Sequence, residues 1–225
     1  MKDVFILNIE TATKACSVSL SKNGELFGLK EETSEKYIHS EKLSIFIHNL
    51  LVNNEIDFKD LSAIAVSKGP GSFTGLRIGV STAKGLCYGL DIPLIAINTL
   101  DSLCANFLLK NKFFENEVLI PMIDARRKEV YTLIKGKCKN IIETSAIEIN
   151  SDFFNKLNNY KKIHLFGDGC SKFEKEFSSN KIKYHTQVLC SSISMAEASY
   201  AQFKNKKFED LAYFEPYYLK DFKAF

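Results

Sequence analysis

The run Ser67-Lys68-Gly69-Pro70-Gly71-Ser72-Phe73-Thr74-Gly75-Leu76-Arg77-Ile78-Gly79 decides how this chain is read. An apolar stretch over 61–66 leads into it, and helical spacing of apolar residues resumes over 76–90, so the pattern is strand, glycine loop, helix. Glycines let a backbone turn tightly and aim its N–H groups at whatever sits before the positive end of the next helix. Two readings stay open. The loop is an anion cradle, with Gly69, Gly71 and Thr74 against phosphates, or a tight turn whose Gly75 and Gly79 let the helix pack closely on a neighbour. No Gly-Lys-Ser/Thr closes it, and its third glycine comes one residue late for a dinucleotide fingerprint.

Upstream, 4–9, 15–20 and 25–30 read as a β-meander, with Asn23-Gly24 as a hairpin turn. An amphipathic helix follows from residue 40 to about 53, with Leu43, Phe46, Ile47 and Leu50 on its apolar face. The helix after the glycine loop carries Gly75, Leu76, Gly79, Val80, Ala83 and Cys87 on one face, and its repeated small residues need packing on both sides. Downstream, 93–97, 118–123, 130–134 and 163–166 read as strands and 99–109 and 194–203 as helices. Short helices are expected near Phe153 and Phe173, and a turn at Gly167-Asp168-Gly169. Three meandering strands followed by alternating helix and strand suggest two related α/β lobes, 1–105 and a smaller, less regular 106–225.

The composition excludes several classes. With 225 residues, 45% hydrophobic and 25% charged, the chain can bury a core without metal or disulfide help. Its 30 basic and 27 acidic residues include only three arginines, Arg77, Arg126 and Arg127, so a dedicated nucleic-acid surface is not expected. Six dispersed cysteines with no Cys-x-x-Cys read as buried small residues. The amino terminus has too short an apolar run for a signal peptide and no stretch reaches spanning length, so a cytoplasmic protein with no membrane contact is expected. His39, His48, His164 and His185 lack the i, i+3 or i+4 spacing of metal ligands on a helix, and Ser72 lacks the flanking glycines of a nucleophile elbow. The run Asp124-Ala125-Arg126-Arg127-Lys128-Glu129 is either a solvated hairpin tip or a charged surface that orients a partner or anion.

Four stretches together carry a resemblance: 6–12 (ILNIETA), 67–79, 121–126 (PMIDAR) and Glu215-Pro216-Tyr217-Tyr218-Leu219. Over essentially its whole length the chain resembles the bacterial TsaB (YeaZ) family. The resemblance implies an actin-like, sugar-kinase-like ATPase fold and a role in making threonylcarbamoyladenosine beside the anticodon of tRNAs that read codons beginning with A. It implies a scaffold and activator, not an enzyme. The catalytic relative TsaD is the implied heterodimer partner, TsaE a further one, and TsaC or Sua5 a functional link. A homodimer in isolation is left open, and tRNA contact is expected mainly through TsaD. Where that relative carries Asn-His-x-x-x-His, this chain has Asn98-Thr99-Leu100-Asp101-Ser102-Leu103, so neither imidazole of a metal site is present and no catalytic residue is assigned. Where actin-like kinases carry Asp-x-Gly-Thr, Asn8-Ile9-Glu10-Thr11 puts a carboxylate near the would-be phosphates. No cofactor is required on this reading. The alternative is a weak ATP-binding phosphotransferase or ATPase, with Gly69, Gly71 and Thr74 on phosphate and Gly167, Asp168 and Gly169 near the adenosine, and behind it a metal-dependent peptidase; weak ATP or ADP at a subunit interface is left open. The docking face is expected to consist of Leu43, Phe46, Ile47 and Leu50 together with Gly75, Leu76, Gly79, Val80, Ala83 and Cys87.

Overall fold

A computed structural model describes residues 3–34 and 38–220. Strands β1 (Phe5–Glu10), β2 (Ala15–Lys22) and β3 (Glu25–Thr33) form the expected meander, followed by α1 (His39–Asn53), β4 (Leu61–Gly69), α2 (Phe73–Leu90), β5 (Leu94–Asn98) and α3 (Thr99–Lys110). Then come β6 (Glu117–Asp124), β7 (Glu129–Lys135), β8 (Asn140–Glu148), α4 (Ser151–Asn155), β9 (Lys162–Phe166), β10 (Ile182–His185) and α5 (Ala196–Lys204). The strands form two five-stranded sheets, ordered β3-β2-β1-β4-β5 and β10-β9-β6-β7-β8. Each sheet is an antiparallel meander whose first strand then pairs in parallel with a later one, β1 with β4 and β6 with β9. The second sheet thus repeats the strand order of the first, and the expected pair of related α/β lobes is present.

In the first sheet, alternation along the strands sends Leu7, Ile9, Ile64, Val66 and Leu94 to one face, where α1 and α2 cover them. Ile6, Ala63, Ala65, Ile95 and Ile97 point to the other face and meet Met195, with Tyr200 and Phe203 of α5 against them. Central strands buried on both faces explain why β1 and β4 read as near-continuous apolar runs. The second sheet has its own core, in which Val118, Ile120 and Met122 of β6 pack with Val130, Leu165, Phe153 and Phe173.

Two compact units result, Met1–Ser102 with Cys190–Tyr218, and Leu103–Leu189 with Leu219–Phe225. The expected division at 105/106 lies three residues from the first crossing, but the chain does not stay in the second unit to its end. Residues 190–218 return because the second face of the first sheet needs cover. A polar seam fixes that return: Ser192 N donates to Ser17 Oγ (3.0 Å), Ser19 Oγ donates to Ser192 O (2.9 Å), and Ser17 and Ser191 both donate to Glu31 Oε2 (2.9 and 2.6 Å). Two strands were not expected. β8 mixes Asn140, Glu143, Thr144 and Ser145 with isoleucines at a half-exposed sheet edge, and β10 is only four residues long. The helix expected near Phe173 is a single 3-10 turn, Cys170–Phe173.

Glycines in α2 answer to different environments. A Cβ at Gly79 would lie 2.2 Å from Thr11 Oγ1, whereas one at Gly85 meets nothing within 4 Å. Gly79→Ala is expected to cost about 1–3 kcal/mol by overpacking, and Gly85→Ala to add roughly 0.5–1 kcal/mol through helix propensity. Urea unfolding midpoints of the two variants check these opposite signs.

Candidate functional site

The glycine loop joins β4 to α2, and its glycines closely approach other parts of the chain. A Cβ at Gly71 would stand 2.4 Å from Ala12 O, and one at Gly75 2.1 Å from Thr11 O. Ser72 N donates to that same Ala12 carbonyl (2.6 Å), so an N–H that an anion cradle would point at phosphate is already engaged. Ser72 Oγ caps α2 by accepting from Gly75 N, and Thr11 Oγ1 donates to Gly75 O (2.8 Å). Gly69, at φ +114°, has Tyr217 O 2.6 Å from its Cβ position, while Tyr217 N donates to Lys68 O (2.7 Å). Beside them Arg77 lies over the Phe73 ring and donates to Tyr218 OH (3.2 Å). Thr74 is exposed. Of the two readings of this loop, the geometry matches the tight turn.

Glu10 sits under the loop with no exposed surface. Its Oε1 accepts from Ala12 N (2.7 Å) and from Ser67 Oγ (2.9 Å), while its Oε2 has no partner among the described residues. Burial pushes this carboxyl up to about 7, against the opposing pull of those hydrogen bonds. Asn8, also fully buried, donates from Nδ2 to Ile6 O and Ser21 Oγ (both 3.3 Å), so it braces the sheet. At the start of α3, Asn98 Oδ1 accepts from Leu100 N and Asp101 N, and Thr99 and Leu103 are fully buried. A hydroxyl and an isobutyl group at these two places offer a metal neither a basic nitrogen nor a soft donor.

The residues expected to form a docking face lie elsewhere. Leu43, Phe46, Ile47, Leu50, Leu76, Val80, Ala83 and Cys87 are all at most 4% exposed, and all but Leu76, which lies against Gly69, form the core between α1, α2 and the first sheet. Gly75 and Gly79 are buried against Thr11. The apolar stripe therefore faces the chain's own sheet, because burying it there removes the largest apolar area from water. Outward stand Ile45 (53% exposed) and Val52 (60%) on α1, and Tyr88 (84%) on α2 beside exposed Ser81, Gly85 and Gly89. The signal for these was present in the sequence as large apolar residues at polar-face positions.

The second set of expected nucleotide residues belongs to the second unit, whereas Gly69, Gly71 and Thr74 belong to the first. Gly167, at φ +100°, leaves only 2.3 Å between its Cβ position and Met122 O, and Gly169 N donates to Met122 O (3.0 Å). Asp168 Oδ1 accepts from Asp124 N (3.2 Å), and burial raises its carboxyl above the usual range. These residues hold the end of β6 and the turn after it. There Arg126 and Arg127 both take left-handed φ angles of 70° and 52°, and Lys172 Nζ braces them through Asp124 Oδ1 (2.6 Å), Arg127 O (2.8 Å) and Glu129 O (3.2 Å).

A raised carboxyl keeps its proton longer in the folded state than in the unfolded one. The stability Glu10 contributes is complete below its ordinary value of 4.5 and is lost as pH rises through about 7. Relative to Glu10→Gln, the protein is expected to lose on the order of 3 kcal/mol between pH 5 and 8. Denaturant unfolding of both proteins across that range checks it, and parallel pH profiles would contradict it.

The family model described as "TsaD: tRNA N6-adenosine threonylcarbamoyltransferase" matches residues 31–224. The tRNA threonylcarbamoyladenosine biosynthesis protein TsaB of Buchnera aphidicola subsp. Schizaphis graminum is 34% identical over 82% of this chain and 89% of its own length. The protein of the same name in Bacillus subtilis is 39% identical over 56% of this chain, and the match spans about half (53%) of that relative. YeaZ from Pseudomonas aeruginosa has the same fold, with a TM-score of 0.76, 21% identity, and coverage of 96% of this chain and 100% of that one. The chain belongs to the TsaD-like family, and within it resembles the TsaB proteins.

Proposed function

We propose that this chain is the non-catalytic accessory subunit in the formation of threonylcarbamoyladenosine on tRNA, and that it acts by docking on a TsaD-type catalytic subunit. The observation that carries this reading is the contact set of the glycine loop: its glycines close on Thr11, Ala12 and Tyr217 of the chain itself, and buried Thr99 and Leu103 stand where the resemblance would place two metal-binding histidines. The kinship to TsaB proteins supports the pathway. TsaE joins the same assembly, TsaC or Sua5 supplies the activated threonylcarbamoyl group, and the chain needs no cofactor of its own.

The docking surface is assigned to the outer faces of α1 and α2. Ile45, Val52 and Tyr88 are exposed apolar anchors, and Gly85 and Gly89 leave flat backbone on which another helix can lie. Aromatic anchors of this kind carry much of an interface's energy, commonly about 2 kcal/mol or more each.

Reconstituted threonylcarbamoyl transfer with TsaD, TsaE and TsaC is expected to require this chain, and the chain alone is expected to give no product. Tyr88→Glu combined with Ile45→Asp should abolish co-elution with TsaD and the transfer activity while leaving far-ultraviolet circular dichroism unchanged. Val80→Arg, by contrast, should unfold the first unit, since it buries a charge in its core. Full activity of TsaD without this chain would overturn the accessory role, and co-elution of the folded double variant would overturn the docking face.

A further inference from the structure

Net charge hides how lysines are distributed in the second unit. The parallel strands β6, β9 and β10 begin at Glu117, Lys162 and Ile182, β7 ends at Lys135, and β8 begins at Asn140, so these five termini share one end of the sheet. The segments that meet there, 108–117, 135–140, 156–163 and 178–183, carry ten lysines and two glutamates. Subtracted from the chain's 30 basic and 27 acidic residues, that leaves 20 and 25, so the rest of the protein is net acidic. Nine of the ten lysines are exposed, and Lys135 is half-buried. Glu117 is buried and pairs with Lys162 and His164; with Glu115 it offsets two of the ten lysines, which leaves the edge an excess of eight positive charges.

The segments are tied into one edge. Lys161 N donates to Asn116 O (2.7 Å), Lys137 Nζ to Phe113 O (3.0 Å), Lys181 Nζ to Asn158 O (2.8 Å) and Ile163 N to Lys181 O (2.9 Å). Five strands at about 4.8 Å spacing make this edge roughly 19 Å long. A row of ammonium groups that long faces a line of charge, not one small anion. Asn116, Asn158, Asn159 and Asn180 interleave with the lysines and supply the neutral donors that commonly accompany phosphate and sugar contacts. Exposed apolar groups near this edge are few beside its nine exposed lysines, Leu108, Leu109 and Phe114 in the segment before β6 and Ile141 in β8, whereas a lipid surface calls for them along the whole contact. Phe114, 55% exposed, offers a face for an unpaired base.

From this placement we infer that the lysine edge of the second sheet binds the phosphate backbone of an RNA strand, without reading its sequence. Lysine acts as a point charge and lacks the planar fork that reads guanine, so the contact positions RNA and leaves selection to other groups. The choice of RNA over other polyanions rests on the role proposed above; the charge row itself does not.

The test is fluorescence anisotropy of the full chain with a labelled, unmodified tRNA transcript between 50 and 200 mM salt. The wild-type chain is expected to bind with strong salt dependence. The variant Lys112→Glu/Lys139→Glu/Lys156→Glu/Lys183→Glu should bind at least tenfold more weakly at 50 mM salt, with the slope of log K against log salt reduced by about 3. The milder fourfold Lys→Gln variant should move both readings the same way by less, which guards against misfolding of the first. Both should still co-elute with TsaD, and the Tyr88→Glu/Ile45→Asp variant should still bind tRNA, so failure of the docking face and failure of the lysine edge give different results. Unchanged affinity and slope in the lysine variants would overturn the inference. So would binding of the wild-type chain to phosphatidylserine vesicles with none to tRNA.

Discussion

The turn between β1 and β2 lies so close to α2 that no side chain fits between them at 71, 75 or 79. Thr11 and Ala12 put their carbonyl oxygens where side-chain carbons would be, and Thr11 and Ser72 close the contact with hydrogen bonds. Much of the first unit depends on this approach. It brings α2 down onto β4 and β1, so Val80, Ala83 and Cys87 reach the sheet, and it sets the gap that α1 fills with Leu43, Phe46 and Ile47. It also explains why a helix with four interior glycines is worth keeping. Each lowers intrinsic helicity by about 1 kcal/mol, and for two of them that loss is offset by contact that a larger residue would forbid.

The same nesting makes the glycine loop a structural joint. Backbone freedom at glycine serves an incoming carbonyl as readily as an incoming phosphate, and here the carbonyls belong to the protein. Below them Glu10 is held through Oε1 by Ala12 and Ser67, with no partner for Oε2 among the described residues, a carboxyl whose hold on its proton burial strengthens. The hydroxyl seam of Ser17, Ser19, Ser191 and Ser192 plays the converse part on the far side of the sheet, where every buried donor has an acceptor and the return segment is fixed in register.

Much of this was legible in the residues. The meander, α1, β4, α2 and β5 follow from period-2 and period-3.6 patterns bounded by Asn23-Gly24 and the glycine loop. What misled was the direction of a stripe. The apolar face of α2 looks the same whether it meets its own sheet or another subunit, and only the fold shows that Val80 and Ala83 face inward while Tyr88 faces out. The glycine loop was ambiguous for a similar reason, since its partners, Ala12 and Tyr217, lie far away in sequence. β8 escaped notice because a half-exposed edge strand alternates weakly. The lysine row could not be read from composition, because its members come from four segments that only the sheet order brings together.

The chain leaves the first unit at Ser102 and comes back at Cys190. All five strands of the first sheet emerge from the ribosome before that departure, yet Met195 and α5, which cover one of its faces, are made only after residues 103–189. At about 5–20 residues per second, Ile6, Ala63 and Ile95 stay bare in the nascent chain for roughly 5–20 s while the second unit is synthesised. Until the return segment is made, one face of the first sheet thus presents apolar side chains to water that its own chain cannot yet cover.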